Sequence, residues 1–258
     1  MLIDKLMNNE KGILQKRTAE LIKIYNQGRL SDLINEAKKL INEYPQDFII
    51  WNLLGAANKR LGYTEQAFTS LKKVTELNPE YADGHNNLGV ILQDLGKLDE
   101  SVNSFNTALS LKPNYPEAYN NLAITYRKNK KYEESVNFFN KAISLNPNYA
   151  EAYNNLATTL KEQGKINKAI DFFKKAISLK PHYAEAYYNM GIVLQEQNDL
   201  QSATKLYMKA IQLNPNYAEA YNNLATTLKE QGKINKAIDF FKKAISLKPH
   251  YAEAYYNM

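Results

Sequence analysis

Between residues 150 and 160 the chain reads AEAYNNLATTL, and apolar or small side chains fall at Tyr153, Leu156, Ala157 and Leu160. That is the i, i+3, i+4, i+7 spacing that lays one buried stripe along a helix. Ile166, Ala169, Phe173, Ala176 and Ile177 follow the same helical logic a little farther on. Gly164 separates the two stripes and Pro181 follows the second. Glycine tolerates the left-handed turn that closes a helix, and proline lacks the N–H needed to continue one. The pattern predicts two antiparallel helices in close approach, with Ala169 and Ala176 as the small residues and Phe173 filling the gap between them.

The same punctuation recurs along the chain. Pro45, Pro79, Pro113, Pro147, Pro181, Pro215 and Pro249 stand 34 residues apart. With the third residue after each proline as position 1, units begin at Leu14, Phe48, Ala82, Pro116, Ala150, Ala184 and Ala218, and an incomplete one at Ala252. Position 15, the turn, is Gly28, Gly62, Gly96, Lys130, Gly164, Asn198 and Gly232, so Lys130 is the exception. A helix pair of this size cannot bury its apolar face alone, so the units must stack. The prediction is an all-α chain: a leader over 1–13, a repeat over 14–47, six repeats over 48–251 (48–81, 82–115, 116–149, 150–183, 184–217, 218–251), and the start of another over 252–258.

These residues resemble tetratricopeptide repeats over nearly the whole chain. WNLLG at 51–55 matches the motif's opening W-x-x-L-G, AIDFF at 169–173 matches its A-x-x-x-F, and the spaced prolines complete it. The resemblance implies an α-solenoid, a right-handed superhelix whose first helices line a concave groove. The unit at 14 departs from the motif, with Arg17 at the aromatic position and Leu33 and Leu40 where small residues belong, and is expected to be a degenerate N-terminal cap.

Residues 145–190 and 213–258 are identical, an offset of two units, which points to duplication, with a built or misassembled array as the alternative. The last unit stops at position 7, so the chain is expected to be a fragment of a longer one, and the uncapped repeat to offer a surface for self-association. With no Cys and three His, disulfides, thiolate sites and a dedicated zinc site are not expected, and neither is any cofactor. No apolar run has the length of a signal peptide core or a membrane span, so a soluble, cytoplasmic protein without membrane partners is expected.

The Asn-Asn pair inside each first helix asks for a reason, because the short amide competes with the backbone for hydrogen bonds. At about 100° per residue, positions 4, 7, 8 and 11 share one side of the helix, and positions 2, 6, 9 and 13 the opposite side. The second Asn of each pair is therefore expected to face solvent. By the resemblance, Asn87, Asn121, Asn155, Asn189, Asn223 and Asn257 would then form a row along the groove, while the unit at 48 has Leu53 there. An amide both donates and accepts, so it can pair with a peptide main chain of any sequence. Helices about 8 to 10 Å apart and a strand rising about 3.3 Å per residue would let one Asn hold about every third residue of a bound segment. The row is similar to the asparagine ladder in the repeats of O-linked N-acetylglucosamine transferase, which grips substrate backbones.

Other features sharpen the expected partner. The net charge of +6 is mild, while position 2 (Asp83, Glu117, Glu151, Glu185, Glu219, Glu253) and position 13 (Asp94, Lys128, Glu162, Glu196, Glu230) make the expected inner wall mostly acidic. Acids at position 2 complement the helix dipole; those at position 13 point toward basic or neutral segments and away from nucleic acid. Position 5 is Asn or Tyr rather than the Lys of the family's carboxylate clamp. Lys174, Lys175, Lys242 and Lys243 read as a solvated outer face. Eleven of the 19 tyrosines sit at positions 4 and 34, where packing is expected. No set of nucleophile, base and orienting group is present, nor a glycine-rich phosphate loop. The expected function is a noncatalytic module binding extended peptide segments. The alternatives are the substrate-recruiting N-terminal part of an enzyme such as a glycosyltransferase or sulfotransferase, and a scaffold for folded partners.

Overall fold

Each pair of helices is cut by the residue at position 15. In the computed structural model, which describes the backbone of residues 2–258 and the side chains of residues 12–258, all seven of these residues adopt a left-handed conformation. Five are glycines; Asn198 has φ 62° and Lys130 φ 58°. The exception in sequence is thus none in conformation, and Lys130 bears the Cβ strain that glycine avoids, about 1 kcal/mol.

The described residues form α1 (Leu2–Asn26), α2 (Leu30–Glu43), α3 (Phe48–Arg60), α4 (Thr64–Leu77), α5 (Ala82–Asp94), α6 (Leu98–Leu111), α7 (Pro116–Lys128), α8 (Tyr132–Leu145), α9 (Ala150–Glu162), α10 (Ile166–Leu179), α11 (Ala184–Glu196), α12 (Leu200–Leu213), α13 (Ala218–Glu230), α14 (Ile234–Leu247) and α15 (Ala252–Asn257). No strand occurs among them. They divide into two compact units, Met1–Asn129 and Lys130–Met258, each a stack of helices packed in chain order, the solenoid class the repeats predict. Second helices stop just short of each proline, where the ring would clash with the preceding turn.

α1 runs unbroken through residue 13, across the boundary expected between leader and first repeat. In the first repeat Leu33 and Leu40 are buried, together with Leu21, Leu30, Ile34, Ala37, Ile50, Leu54 and Ala57. The large side chains fill core there, and Arg17 turns outward to Glu43 at 2.7 Å.

In the regular repeats Phe105, Phe139, Phe173, Tyr207 and Phe241 are fully buried, each beside an equally buried alanine three residues on. Close approach is literal at Gly191, where an added Cβ would lie 2.7 Å from the Tyr207 ring. First helices are buried more widely than one stripe predicts. Ala152, Asn154 and Thr159 are buried in α9 as well as Leu156, Ala157 and Leu160. The cause is position in the stack: a first helix such as α11 touches α10, α12, α9 and α13.

Candidate functional site

The Asn pairs sit where successive first helices meet. The first member is buried: Asn86, Asn120, Asn154 and Asn222 expose between 0% and 7% of their surface. The second member, expected to face solvent, is half-buried in every repeat that has one, Asn87 to Asn257. Its amide reaches back to the preceding repeat. Asn87 Nδ2 donates to Asn52 Oδ1 and Asn121 Nδ2 to Asn86 Oδ1, both at 3.1 Å. In the other unit Asn189 Nδ2 donates to Asn154 Oδ1 at 3.1 Å, and Asn257 Nδ2 to Asn222 Oδ1 at 3.5 Å. Where the preceding repeat has Tyr188 in place of the first Asn, Asn223 Nδ2 donates to its hydroxyl at 3.2 Å. Asn155 is half-buried beside these, its backbone carbonyl accepting the Thr159 hydroxyl at 2.9 Å.

The pairs are therefore a splice between repeats, each link spanning 35 residues. The buried member needs this bond, since an unpaired buried amide costs about 1–3 kcal/mol. Its own Nδ2 turns the other way: Asn154 toward Glu185 at 3.5 Å and Asn222 toward Glu253 at 3.1 Å. One N–H of Asn87, Asn121, Asn189, Asn223 and Asn257 is thus committed. An amide nitrogen carries two, and each of these bonds uses one of them.

Some of the acids expected to make an acidic wall are paired with lysines of the same chain. At position 2, Asp83 pairs with Lys112, Glu151 with Lys180 and Glu219 with Lys248. At position 13, Glu196 accepts from Lys161 at 2.6 Å, and Glu230 from Gln195 at 3.3 Å. Glu151 is partly buried, which would raise its pKa, but the Lys180 bond and charge win and hold the carboxyl below its ordinary range. The hydrogen bond from Lys248 does the same to Glu219. These exposed pairs contribute little stability and offset part of the acidic charge of the face.

Tyrosines form the edge. Tyr188 lies 4.8 Å from Tyr217 and 5.9 Å from Tyr207, ring centre to ring centre. Tyr207 Oη donates to Gln195 at 2.9 Å. Burial raises the phenol pKa of Tyr115, Tyr183, Tyr207 and Tyr217 well above the ordinary 10, helped at Tyr183 by the charges of Glu185 and Glu151. An acid whose folded pKa is raised stabilises the fold fully below its unfolded value and loses that contribution as pH climbs past it. Alkaline titration should therefore show these four phenols ionising only as helical circular dichroism is lost. A single phenolate step with the helices intact would contradict the burial.

Among the described residues no group of His, Asp and Glu is placed to hold a metal ion, and no helix is long and apolar enough to cross a membrane.

Residues 116–181 and 183–250 match the tetratricopeptide repeat family, and residues 61–96 and 91–130 match a second TPR repeat group. The chain belongs to the tetratricopeptide repeat family, whose members mediate protein–protein interaction. No curated protein matches it. Among solved structures it is similar to the APC/C hetero-tetramer Cut9–Hcn1, with TM-score 0.76 and 16% identity over 93% of this chain and 47% of that one. This chain thus spans about half the length of that relative. PilF of Pseudomonas aeruginosa gives TM-score 0.67 at 21% identity, covering 86% of this chain and 97% of that one. YrrB, a TPR protein with an unusual peptide-binding site, gives 0.52 at 23%, covering 72% and 96%. At these identities the likeness is one of fold.

Proposed function

We propose that the chain is a noncatalytic protein-interaction module that holds extended peptide segments against its first-helix faces, through Asn155, Asn189, Asn223 and Asn257 in one unit and Asn87 and Asn121 in the other. The observation that carries this is the committed amide. Asn87, Asn121, Asn189, Asn223 and Asn257 are each oriented by a bond to the preceding repeat that uses one of the two N–H groups an amide carries. An amide already fixed in place loses little freedom when it grips a main chain. YrrB, a structural neighbour, has a peptide-binding site. Lysines of this chain match Glu151, Glu196 and Glu219, and the glutamates that remain on the first helices favour basic or neutral segments. The peptide main chain, irrespective of sequence, is what the ladder reads. The absence of cysteine fits a cytoplasmic setting.

Removing the ladder amides would also cut the splice, so the test blocks the face instead. Thr158 and Thr226 stand one turn after Asn155 and Asn223, half-buried, each bonded to a carbonyl of its own helix at 3.0 Å. Thr158→Arg with Thr226→Arg should sharply weaken binding to an array of unrelated extended peptides at an unchanged melting temperature. Retained binding would show that the face is not used.

A further inference from the structure

Two pockets occupy equivalent places two repeats apart in the Lys130–Met258 unit. One, of 460 Å³, is floored by Leu156, Leu160 and Phe172 and rimmed by Lys165, Lys168 and Asp171. The other, of 490 Å³, is floored by Leu224, Leu228 and Phe240 and rimmed by Lys233, Lys236 and Asp239. They open between the second helices of successive repeats, α8 and α10 in the first case and α12 and α14 in the second, over the intervening first helix. The aromatic floor is held in place: Phe172 stacks on Tyr153 at 6.1 Å, and Phe240 lies against Tyr221 at 6.2 Å. The walls differ, Val136 and Asn140 in one and Thr204 and Met208 in the other, where Met208 is 55% exposed.

Two identical floors and rims at a fixed interval suit a ligand that repeats its own anchors, which is a property of a polypeptide rather than a small molecule. Each pocket has room for one bulky apolar side chain, and an unbranched Met at the mouth adapts to its shape. Charge decides the rest. The outer helices carry Lys141 on α8, Lys168, Lys174 and Lys175 on α10, Lys205 and Lys209 on α12, and Lys236, Lys242 and Lys243 on α14, against Glu133 and Glu134 on α8, Asp171 on α10 and Asp239 on α14. The first helices of the same unit carry mainly glutamate. We propose that this second-helix face docks an acidic amphipathic segment of a partner protein, seating Leu or Phe anchors in the two pockets and setting Asp and Glu against the lysine rim. The site is separate from the asparagine face and takes side chains, where that face takes main chain.

The test uses a fluorescein-labelled synthetic amphipathic peptide with Leu and Phe on one face and Glu on the other, read by anisotropy against the whole chain. The peptide should bind, and more weakly as salt is raised. Its Lys-for-Glu counterpart and its Ala-for-Leu/Phe counterpart should not bind. Lys168→Glu with Lys236→Glu, both on the helix surface, should weaken binding about tenfold or more without changing helicity. Thr158→Arg with Thr226→Arg should leave it unchanged, which separates failure here from failure of the asparagine face. Absence of binding, equal binding of acidic and basic peptides, indifference to loss of the apolar anchors, or indifference to the lysine reversals would each overturn the proposal.

Discussion

Phe173→Ala is expected to lower the unfolding free energy by about 3–5 kcal/mol, the range for deleting a well-packed core aromatic. Phe173 is 1% exposed, and Ala157, Ala169 and Ala176 around it are fully buried. Small residues leave nothing that can lean into the vacated space, so the cavity persists and its cost adds to the lost transfer free energy. The chain supplies its own control, because residues 213–258 duplicate 145–190 and place Phe241 in the same local sequence. Stability in a repeat stack is a sum of local terms and interfaces with nearest neighbours. Phe241→Ala, in the duplicated sequence and equally buried, should show a loss of the same order in urea unfolding. A Phe173→Ala loss below about 1 kcal/mol would contradict the packing assigned to this layer.

That layer was readable from the chain because its information is local. A stripe of apolar residues, a left-handed turn residue and a proline all act within one helix pair, so the spacing of Ala169, Phe173 and Ala176 sufficed. Lys130 shows how strongly neighbours dictate the turn, since it adopts φ 58° without the glycine that favours it. The asparagines were harder because a helical wheel contains one helix. It placed Asn189 opposite its own apolar stripe, correctly within that helix, but could not show that Asn154 of the preceding repeat closes one side of it. A signal was present nonetheless. The unit at 48 lacks the second Asn, with Leu53 in its place, yet keeps the first as Asn52, whose side-chain oxygen accepts from Asn87. A lone acceptor one repeat ahead of the first donor marks a bond between repeats. The ion pairs were hidden for the same reason: Lys161 and Glu196, or Lys180 and Glu151, are distant in sequence and adjacent in the stack.

Asn154→Asp should expose this coupling most directly, costing about 2–4 kcal/mol near neutral pH. The side chain is 1% exposed; its Oδ1 accepts from Asn189, and its Nδ2 faces Glu185. Aspartate keeps the first bond, loses the N–H for the second, and brings a buried negative charge against another carboxylate. Burial and like charge both raise a carboxyl pKa, so the folded value lies above the unfolded one, about 3.9. The penalty is then full above the raised pKa and shrinks as pH falls toward the unfolded value, where the protonated acid can donate to Glu185. Urea midpoints for wild type and variant should be far apart at about pH 7.5 and draw together at about pH 4.5. A gap that ignores pH would mean that Asn154 does not serve as the donor to Glu185. While the introduced carboxylate is charged, Asn189 meets a stronger acceptor and is held more tightly, so peptide binding measured well below the melting temperature should survive while stability falls. Loss of stability and binding in parallel would instead show that the ladder grips peptides only when every link between repeats is intact.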